Sequence, residues 1–351
     1  MNDQTGARRA TVHDVAREAR VSLATVDRVL NGRPGVRPET AERVEQAIVT
    51  LDFRRDLSAS LLARARDLRV QFLIPDGANE FMANLALAIE RRGRQALSER
   101  MHIEAVPMRA LDTSALVARL DGLDPKTCDC AVIVAIEHPK VVDAVNAATR
   151  RGITVITLVS DLPGSTRRHF VGIDNGAAGR TAASLMGRFC PQGGKIGLIA
   201  GSLGLRDHRE RMEGFKALAA AEFPGLVLVG PLEGHEESAE TERLVGELLA
   251  QHPDLAGLYN LGAGNGGMLA ALDACGRAGS IRVIAHELTD ATRTGLKSGS
   301  IDVVLDQNPD GEIRAAISAA RQLALGLQKP LSLPAQNETI EIGVFLRDNL
   351  R

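Results

Sequence analysis

The stretch that decides the fold of the N-terminal region is "TVHDVAREARVSLATVDRVLNGRPGVRPETAERVEQAI", residues 11–48. Apolar residues recur in it at helical spacing in three short blocks, and Thr11 and Ser22 stand where N-caps of the first two would lie. "NGRPG" ends the second block, because Asn and Gly tolerate left-handed backbone and Pro lacks an N–H donor. The pattern predicts two short helices joined by a tight turn and braced by a third, which is a helix-turn-helix unit.

The second helix of such a unit enters the major groove of DNA, which explains why its residues are small. Leu23, Ala24 and Arg28 are expected at base edges, where Arg28 can bridge a guanine with two hydrogen bonds. The polar residues nearby suit phosphates, which set the register without reading sequence. A three-helix unit without a DNA partner remains the alternative. The predicted DNA contacts of this region are Thr11, Ser22, Leu23, Ala24, Thr25, Arg28 and Asn31.

Bulk composition limits the remaining possibilities. The chain has 351 residues, enough for two or three compact units, and a net charge of −2 that does not by itself indicate nucleic acid. No apolar run at the N-terminus suggests a secretory signal, and "AVIVAI" (131–136) is far too short to span a membrane. The four cysteines form no C-x-x-C pair and have no His at ligand spacing. "CDC" (128–130) could in principle hold a metal, but the pattern favours reduced thiols beside a strand, so we expect no metal, no cofactor and a cytoplasmic location.

Four motifs of the N-terminal region carry a family resemblance. T-x-x-D-V-A, V-S-x-x-T-V, R-V-L-N-G and V-x-x-E-T-x-x-R-V occur in this order, and the region resembles the headpiece of the LacI/GalR family of bacterial transcription regulators. Two residues depart from the family pattern. Asp27 stands where Ser is usual, and Arg20 replaces the Gly usual at the turn between the helices. If that turn needs a positive φ, Arg20 is strained.

The segment "RRDLSASLLARARD" (54–67) follows the headpiece. The resemblance implies a hinge helix that folds on DNA and wedges Leu62 between base pairs of the minor groove, with Ala59 beside it. The family's usual A-R-x-L is A-S-L-L here, so Ser60 lacks a charged contact. A plain linker helix is the alternative.

From Arg69 onward the pattern changes to short β-branched runs alternating with helical spans, for example "RVQFLIP" (69–75), "CAVIVAI" (130–136) and "IDVVLDQ" (301–307). This alternation predicts mostly parallel sheets covered by helices on both faces. About 280 residues with this many strands exceed one open sheet, so we expect two Rossmann-like lobes. Ligands bind beyond the carboxyl ends of parallel strands, which places a ligand site in the cleft between the lobes.

Polar residues follow several of these strands, and amides, carboxylates and a guanidinium around one slot suit a ligand with many hydroxyls. The region resembles the periplasmic sugar-binding-protein fold used as the effector domain in the same family. The Asp-Arg pair common after the third strand in that fold is missing, since Val159 and Ser160 stand near there. Stacking on a sugar face would fall to Phe81, because the chain has no Trp. The ligand contacts implied by the resemblance are Asn79, Phe81, Asn175, Arg211, Asn260, Glu287 and Gln307.

The predicted fold class is an all-α helix-turn-helix headpiece with a hinge helix, followed by an α/β effector region of two Rossmann-like lobes of the periplasmic binding protein type. The headpiece covers 1–56, the hinge 57–68 and the effector-binding and dimerisation domain 69–351. Within that domain, lobe 1 is expected at about 69–170 plus 302–333. Lobe 2 is expected at about 171–301 plus 334–351.

The predicted function is that of a ligand-responsive DNA-binding regulator, a repressor that binds a pseudo-palindromic operator as a homodimer. Its effector is expected to be a sugar, a polyol or a similar small polar metabolite in the cleft. We expect no catalytic residues, because His286 is accompanied by no nucleophile motif or paired acid, and we expect no membrane partner. The alternative is a stand-alone sugar-binding or chemoreceptor-type module without a DNA function.

Overall fold

A computed structural model describes residues 10–30, 35–51, 53, 67–77, 79–324 and 338–350. The N-terminal region contains helices α1 (Val12–Ala19), α2 (Leu23–Leu30) and α3 (Pro38–Thr50). They pack around a small core in which Val15, Val26 and Val44 are fully buried, one residue from each helix. The three predicted helices are therefore confirmed.

The ends of the first two helices follow the predicted cap chemistry. Thr11 forms a capping box with Asp14, whose backbone N–H donates to Thr11 Oγ1 at 3.3 Å. Ser22 Oγ accepts from the backbone N–H of Thr25 at 3.1 Å. Arg20 has a φ of 53°, so the turn does require left-handed backbone at a position without glycine.

Two six-stranded sheets form the rest of the described chain. The first has the order β11-β5-β4-β3-β1-β2, and every pairing in it is parallel. Its strands are β1 (Leu68–Asp76), β2 (Met101–Arg109), β3 (Cys130–Ile133), β4 (Thr154–Leu158), β5 (His169–Ile173) and β11 (Glu338–Ile340). The helices of this lobe are α4 (Glu80–Ala96), α5 (Thr113–Asp121), α6 (Pro139–Arg150) and α12 (Pro309–Ala324).

The second sheet has the order β12-β10-β9-β8-β6-β7 and is parallel except for β12, which runs antiparallel to β10. Its strands are β6 (Gly194–Ala200), β7 (Leu226–Glu233), β8 (Leu255–Asn260), β9 (Arg282–His286), β10 (Val303–Asp306) and β12 (Gly343–Phe345). The accompanying helices are α7 (Asn175–Phe189), α8 (Arg206–Glu222), α9 (Ser238–Gln251), α10 (Asn265–Ala274) and α11 (Asp290–Ser298).

The chain crosses between the lobes at three places, and the predicted lobe boundaries differ from them. Strand β5 (169–173) belongs to the first sheet, so the first crossing follows it, past the expected boundary at 170/171. Strand β10 (303–306) belongs to the second sheet, although 302–333 was assigned to lobe 1. Strand β11 (338–340) pairs in the first sheet, although 334–351 was assigned to lobe 2. These boundaries are wrong for a physical reason. The sheet that a short strand joins is decided by the distant strands with which it pairs, and the sequence of the strand itself does not identify them.

The strands are buried on both faces, as the apolar runs predicted. Strands β3, β5 and β10 are buried at every position, because helices cover both sides of each sheet. In the part of the chain that the structure describes, no helix is both long and apolar enough to span a membrane.

Candidate functional site

Helix α2 exposes one face to solvent, which combines two apolar and two charged residues. Leu23, Ala24, Asp27 and Arg28 are exposed, at the i, i+1, i+4 and i+5 spacing of a single helix face. Val26 on the opposite face is fully buried against the headpiece core. The three residues predicted to reach base edges therefore share the one surface of α2 that can enter a groove.

The hydroxyls near this surface have partners within the headpiece. Thr11 Oγ1 donates to Asp14 Oδ2 at 2.7 Å, and the hydroxyls of Ser22 and Thr25 lie 2.9 Å apart. Their predicted contacts with DNA stay predictions. The remaining predicted DNA contacts, Asn31, Ala59 and Leu62, lie outside the described residues.

A second candidate site lies in the cleft between the two lobes, beyond the carboxyl ends of the strands. It holds a cavity of about 30 Å³, about the volume that one water molecule occupies. The lining comes from both lobes and consists of Asn79, Glu80, Ser238, Ala263, Gly264, Asn265, Gly266, Glu287, Thr289 and Ala291. The predicted ligand residues Asn79 and Glu287 are thus brought together at one cavity.

Several polar contacts join the two lobes across the cleft. The Asn79 amide, at the N-terminus of α4 in the first lobe, donates to Glu236 in the second lobe. Glu137, after β3, forms ion pairs with Arg206, at 3.4 Å between Oε1 and Nη1, and with Arg209 on α8. The backbone N–H of Arg206 also donates to Ser160 Oγ at 3.2 Å.

Arg211 is a fully buried cation on α8. Its Nε donates to Asn175 Oδ1 at 2.8 Å, and its Nη1 donates to the Leu261 carbonyl oxygen at 2.6 Å. The nearest carboxylate oxygen to Nη2 is Oδ2 of Asp207, at 3.8 Å. Among the described residues Nη2 has no hydrogen-bond partner, so one edge of this guanidinium is open to a ligand or water.

Two further buried side chains, near the second crossing of the chain between the lobes, have unused polar atoms. Gln307 directly follows β10, and Glu312 lies in the first turn of α12; both are completely buried. Within the described residues neither the Gln307 amide nor the Glu312 carboxyl has a hydrogen-bond partner, and Oδ1 of Asp207 also lacks one. A buried polar atom without a partner is costly, so these atoms mark where ligand hydroxyls or ordered water fit.

Burial also sets the protonation of the carboxyl groups here. Glu287 follows β9 with a left-handed φ of 72°, and burial raises its pKa to about 8. Burial likewise raises the pKa of Glu312 well above its ordinary value. The positive charge of Arg211 opposes both shifts. With a pKa of about 8, Glu287 is largely protonated near neutral pH, which lets it donate as well as accept hydrogen bonds.

His286 precedes Glu287 and is held inside the second lobe. Its Nε2 lies 2.9 Å from the Tyr259 hydroxyl, and burial lowers its pKa well below the ordinary value. The histidine is therefore neutral, and its contact with Tyr259 is one between two buried side chains. Among the described residues, no group of three or more His, Cys, Asp or Glu side chains is arranged to hold a metal ion.

Asn260 and Phe81 have neighbours that the sequence did not predict. The Asn260 amide donates to Asn265 Oδ1 at 2.8 Å, and its Oδ1 accepts from the backbone N–H of Gly262. These bonds order the glycine-rich loop that lines the cavity. The Phe81 ring is 1 % exposed and belongs to the hydrophobic core of the first lobe. Direct contacts of Asn260 and Phe81 with a ligand stay predictions.

Asp207, Glu236 and Glu312 are site residues that the sequence analysis missed. Asp207 lies four residues before Arg211, in "RDHRER" (206–211), a segment typical of a solvated helix start. The i, i+4 spacing with Arg211 is the only signal in the sequence that pairs it with the cleft. Neither glutamate is marked by any comparable pattern.

Known families account for both parts of the chain. Residues 71–328 match the periplasmic binding protein domain, and residues 11–56 match the bacterial regulatory proteins of the lacI family. The chain therefore belongs to the periplasmic binding protein domain family and carries a lacI-family helix-turn-helix domain at its N-terminal end. Both the family resemblance and the predicted fold class are confirmed.

Individual relatives resemble different parts of the chain. Catabolite control protein A of Staphylococcus xylosus is 46% identical over 80 residues, which are 23% of this chain and 24% of that protein. The chain thus spans about a quarter of the length of that curated relative. The D-ribose/D-allose-binding protein of Pseudomonas aeruginosa is 26% identical over 234 residues, 64% of this chain and 69% of that protein.

Solved structures match the two-lobed region. The solute-binding protein of an ABC transporter from Burkholderia graminis, solved in complex with D-arabinose, superposes with a TM-score of 0.74 at 25% identity. The match covers 82% of this chain and 97% of that protein. The glucose-galactose binding protein GanP of Geobacillus stearothermophilus superposes with a TM-score of 0.73 at 20% identity, over 81% of this chain and 99% of that protein, and shows the same fold.

Proposed function

We propose that the protein is a ligand-responsive transcriptional regulator, a repressor, that binds a pseudo-palindromic operator as a cytoplasmic homodimer. Its affinity for DNA is controlled by a sugar, a polyol or a related small polar metabolite in the inter-lobe cleft. The observation that carries the proposal is the joining, in one chain, of two features. A helix-turn-helix exposes one face of α2, and a two-lobed domain has a cleft with buried polar atoms that lack hydrogen-bond partners among the described residues.

The DNA half of the proposal is supported by the surface of α2. Leu23, Ala24 and Arg28 are exposed on one face, where Leu23 and Ala24 can make apolar contacts with bases and Arg28 can hydrogen-bond a guanine. One recognition helix reads only a few base pairs, so specificity needs a second copy on a symmetric site. The same argument supports the homodimer.

The effector half is supported by the chemistry of the cleft and by two relatives. The D-ribose/D-allose-binding protein and the D-arabinose complex, named for their sugars, both match the two-lobed region. In this chain Asn79, Arg211 and Gln307 supply amide and guanidinium donors of the kind that hydroxyl-rich ligands need. A ligand can bind one arrangement of the two lobes more tightly than another. It then shifts the affinity for DNA by at most the difference between its binding free energies for the two arrangements.

The second candidate function is a stand-alone sugar-binding or chemoreceptor-type module. It is favoured by the extent of the match to the D-ribose/D-allose-binding protein, which covers most of the two-lobed region. It predicts sugar binding without sequence-specific binding of DNA. The exposed face of α2, with Leu23, Ala24 and Arg28, favours the regulator.

A selection from random double-stranded DNA with the full-length protein separates the two functions. The regulator is expected to enrich a sequence with two-fold symmetry, and the Arg28→Ala variant is expected to lose preference at one base pair in each half-site. The matched control is Arg43→Ala, which removes an exposed arginine from the bracing helix α3. Enrichment of no sequence by the wild-type protein would contradict the regulator and leave the stand-alone module.

A further inference from the structure

Glu236 belongs to the second lobe, and its side chain reaches across the cleft to the first. Its Oε2 accepts a hydrogen bond from Nδ2 of Asn79, which directly precedes α4. Its Oε1 lies against Gly201, which directly follows β6, so closely that a side chain at position 201 would collide with the carboxyl group. The carboxyl group of Glu236 therefore stands between the lobes, beyond the carboxyl ends of β1 and β6.

The cavity beside this contact is much too small for the proposed effector. Its volume of about 30 Å³ is that of one water molecule, and a sugar is several times larger. Asn79 and Glu287 line the cavity, as does Ser238, two residues after Glu236. Burial is the main cause that raises the pKa of Glu287, and the charge of the nearby Glu236 adds to it. An effector can therefore enter only if side chains of the protein leave this region.

Asn79 is the cavity residue that Glu236 occupies. The Oδ1 atom of Asn79 accepts from the backbone N–H groups of Phe81 at 2.9 Å and Met82 at 3.2 Å, and these bonds cap α4. Oδ1 is thus committed to the helix, which leaves Nδ2 to serve a ligand. Because Nδ2 is also the atom that donates to Glu236, a ligand that accepts from Asn79 meets Glu236 at the same nitrogen.

The turn that carries Glu236 has an unfavourable backbone. It runs from Gly234 to Glu237, and the N–H of the last residue donates to the carbonyl oxygen of the first at 2.9 Å. The two central residues, His235 and Glu236, have left-handed φ values of 50° and 67°, a conformation that favours glycine or asparagine. Contacts of the side chains must offset this strain, and the hydrogen bond to Asn79 is one of them. Loss of that bond therefore favours relaxation of the turn.

We propose that Glu236 is a built-in competitor of the effector, which holds Asn79 until a ligand displaces it. Without effector, the carboxyl group of Glu236 occupies the cleft and joins the two lobes. When the effector binds, an acceptor atom of the ligand replaces Glu236 at Asn79, and the strained turn relaxes away from the cleft. Glu236 thereby sets the effector concentration at which the protein responds. This inference rests on the proposed function, because it concerns the effector of the same cleft.

Removal of the competitor is expected to tighten binding of the effector. When only a fraction of the molecules can bind a ligand, the apparent affinity is reduced by that fraction. If Glu236 fills the cleft in about nine molecules of ten, the Glu236→Ala variant binds about tenfold more tightly than the wild type. A side chain that contacts the ligand directly has the opposite effect, because its removal deletes a favourable contact. The sign of the change separates the two roles.

The test is calorimetry of full-length protein with D-ribose, D-allose and D-arabinose, preceded by a thermal-shift measurement with the same probes. A ligand that binds only the native state raises the melting temperature and so identifies the probe. Glu236→Ala removes the carboxyl group. Glu236→Gln keeps an acceptor for Asn79 and should bind with an affinity between those of the wild type and Glu236→Ala. The matched control is Glu237→Ala, which removes the exposed neighbouring carboxyl group and should bind as the wild type does.

We expect the probe to bind more tightly to Glu236→Ala than to the wild type, or to bind Glu236→Ala alone. Equal or weaker binding by Glu236→Ala, or the same gain in Glu237→Ala, would overturn this inference and leave the proposed function standing. Stabilisation of neither the wild type nor Glu236→Ala by any probe would overturn the sugar-type effector itself, and this inference with it. Glu236→Gln tests the same sign if Glu236→Ala does not fold.

Discussion

Replacement of Glu287 by Gln is expected to change how stability depends on pH. The carboxyl has an ordinary pKa of 4.5, and burial in the folded protein raises it to about 8. A raised pKa means that the folded state holds the proton more tightly than the unfolded state. The stabilisation is therefore complete below pH 4.5 and is lost as the pH rises to about 8.

The size of this effect follows from the shift. Within that window one group changes the free energy of unfolding by about 1.4 kcal/mol per pH unit, so the wild type loses roughly 2 kcal/mol through Glu287 between about pH 6 and 7.5. In a domain of this size that loss lowers the melting temperature by about 4–8 °C. Gln cannot ionise, so the Glu287→Gln variant should lack this part of the decline.

Thermal unfolding of the full-length wild type, Glu287→Gln and the exposed control Glu213→Gln is measured from about pH 5.5 to 8. Glu312, whose pKa burial also raises, adds to the slope in all three proteins, so the prediction concerns the difference between them. The control should follow the wild type. Parallel curves for Glu287→Gln and the wild type would refute the reasoning, because Glu287 would then be ionised throughout this range.

Three further substitutions test the headpiece and the cleft. Arg28→Ala should weaken specific DNA binding by about 1–3 kcal/mol in fluorescence anisotropy, and an equal loss for all DNA sequences would make Arg28 a phosphate contact. Arg20→Gly should stabilise the headpiece by roughly 1 kcal/mol, since glycine adopts left-handed backbone without strain, and a lower melting temperature would contradict this. Gln307→Ala should blunt the response to the effector with unchanged DNA binding in its absence, and a normal dose response would remove Gln307 from the site.

The headpiece could be predicted almost completely from the sequence, because its signals are local. Thr11 and Asp14 are three residues apart, so their capping box is legible in the sequence itself. The sequence also marked Arg20 as the position where a positive φ would strain the backbone, and the structure has a φ of 53° there. Local patterns likewise predicted the alternation of strands and helices in the two lobes.

The parts that could not be predicted depend on contacts between distant segments. Strand β10 was assigned to the wrong lobe, because a short apolar run that is buried on both faces has the same sequence pattern whichever sheet it joins. Glu312 was missed, because an acidic residue in the first turn of a helix is ordinarily exposed there and stabilised by the helix dipole. Only the packing of the lobes reveals that this carboxyl is buried near Arg211.

Asn260 illustrates the same limit within the site. Its position after β8 predicts a ligand contact, which stays a prediction, whereas the bonds from the polar atoms of its side chain to the glycine-rich loop were not predicted. An amide at the end of a strand can serve either purpose, and the choice depends on the path of the following five residues.

The most direct test of the account is the effect of the effector on DNA affinity. The dissociation constant of the selected DNA sequence is measured by fluorescence anisotropy at fixed salt, with and without a sugar that raises the melting temperature of the protein. The account predicts a change of about 5- to 150-fold in the wild type and a much smaller change in Gln307→Ala. An unchanged dissociation constant, at a sugar concentration that saturates the cleft, would contradict it.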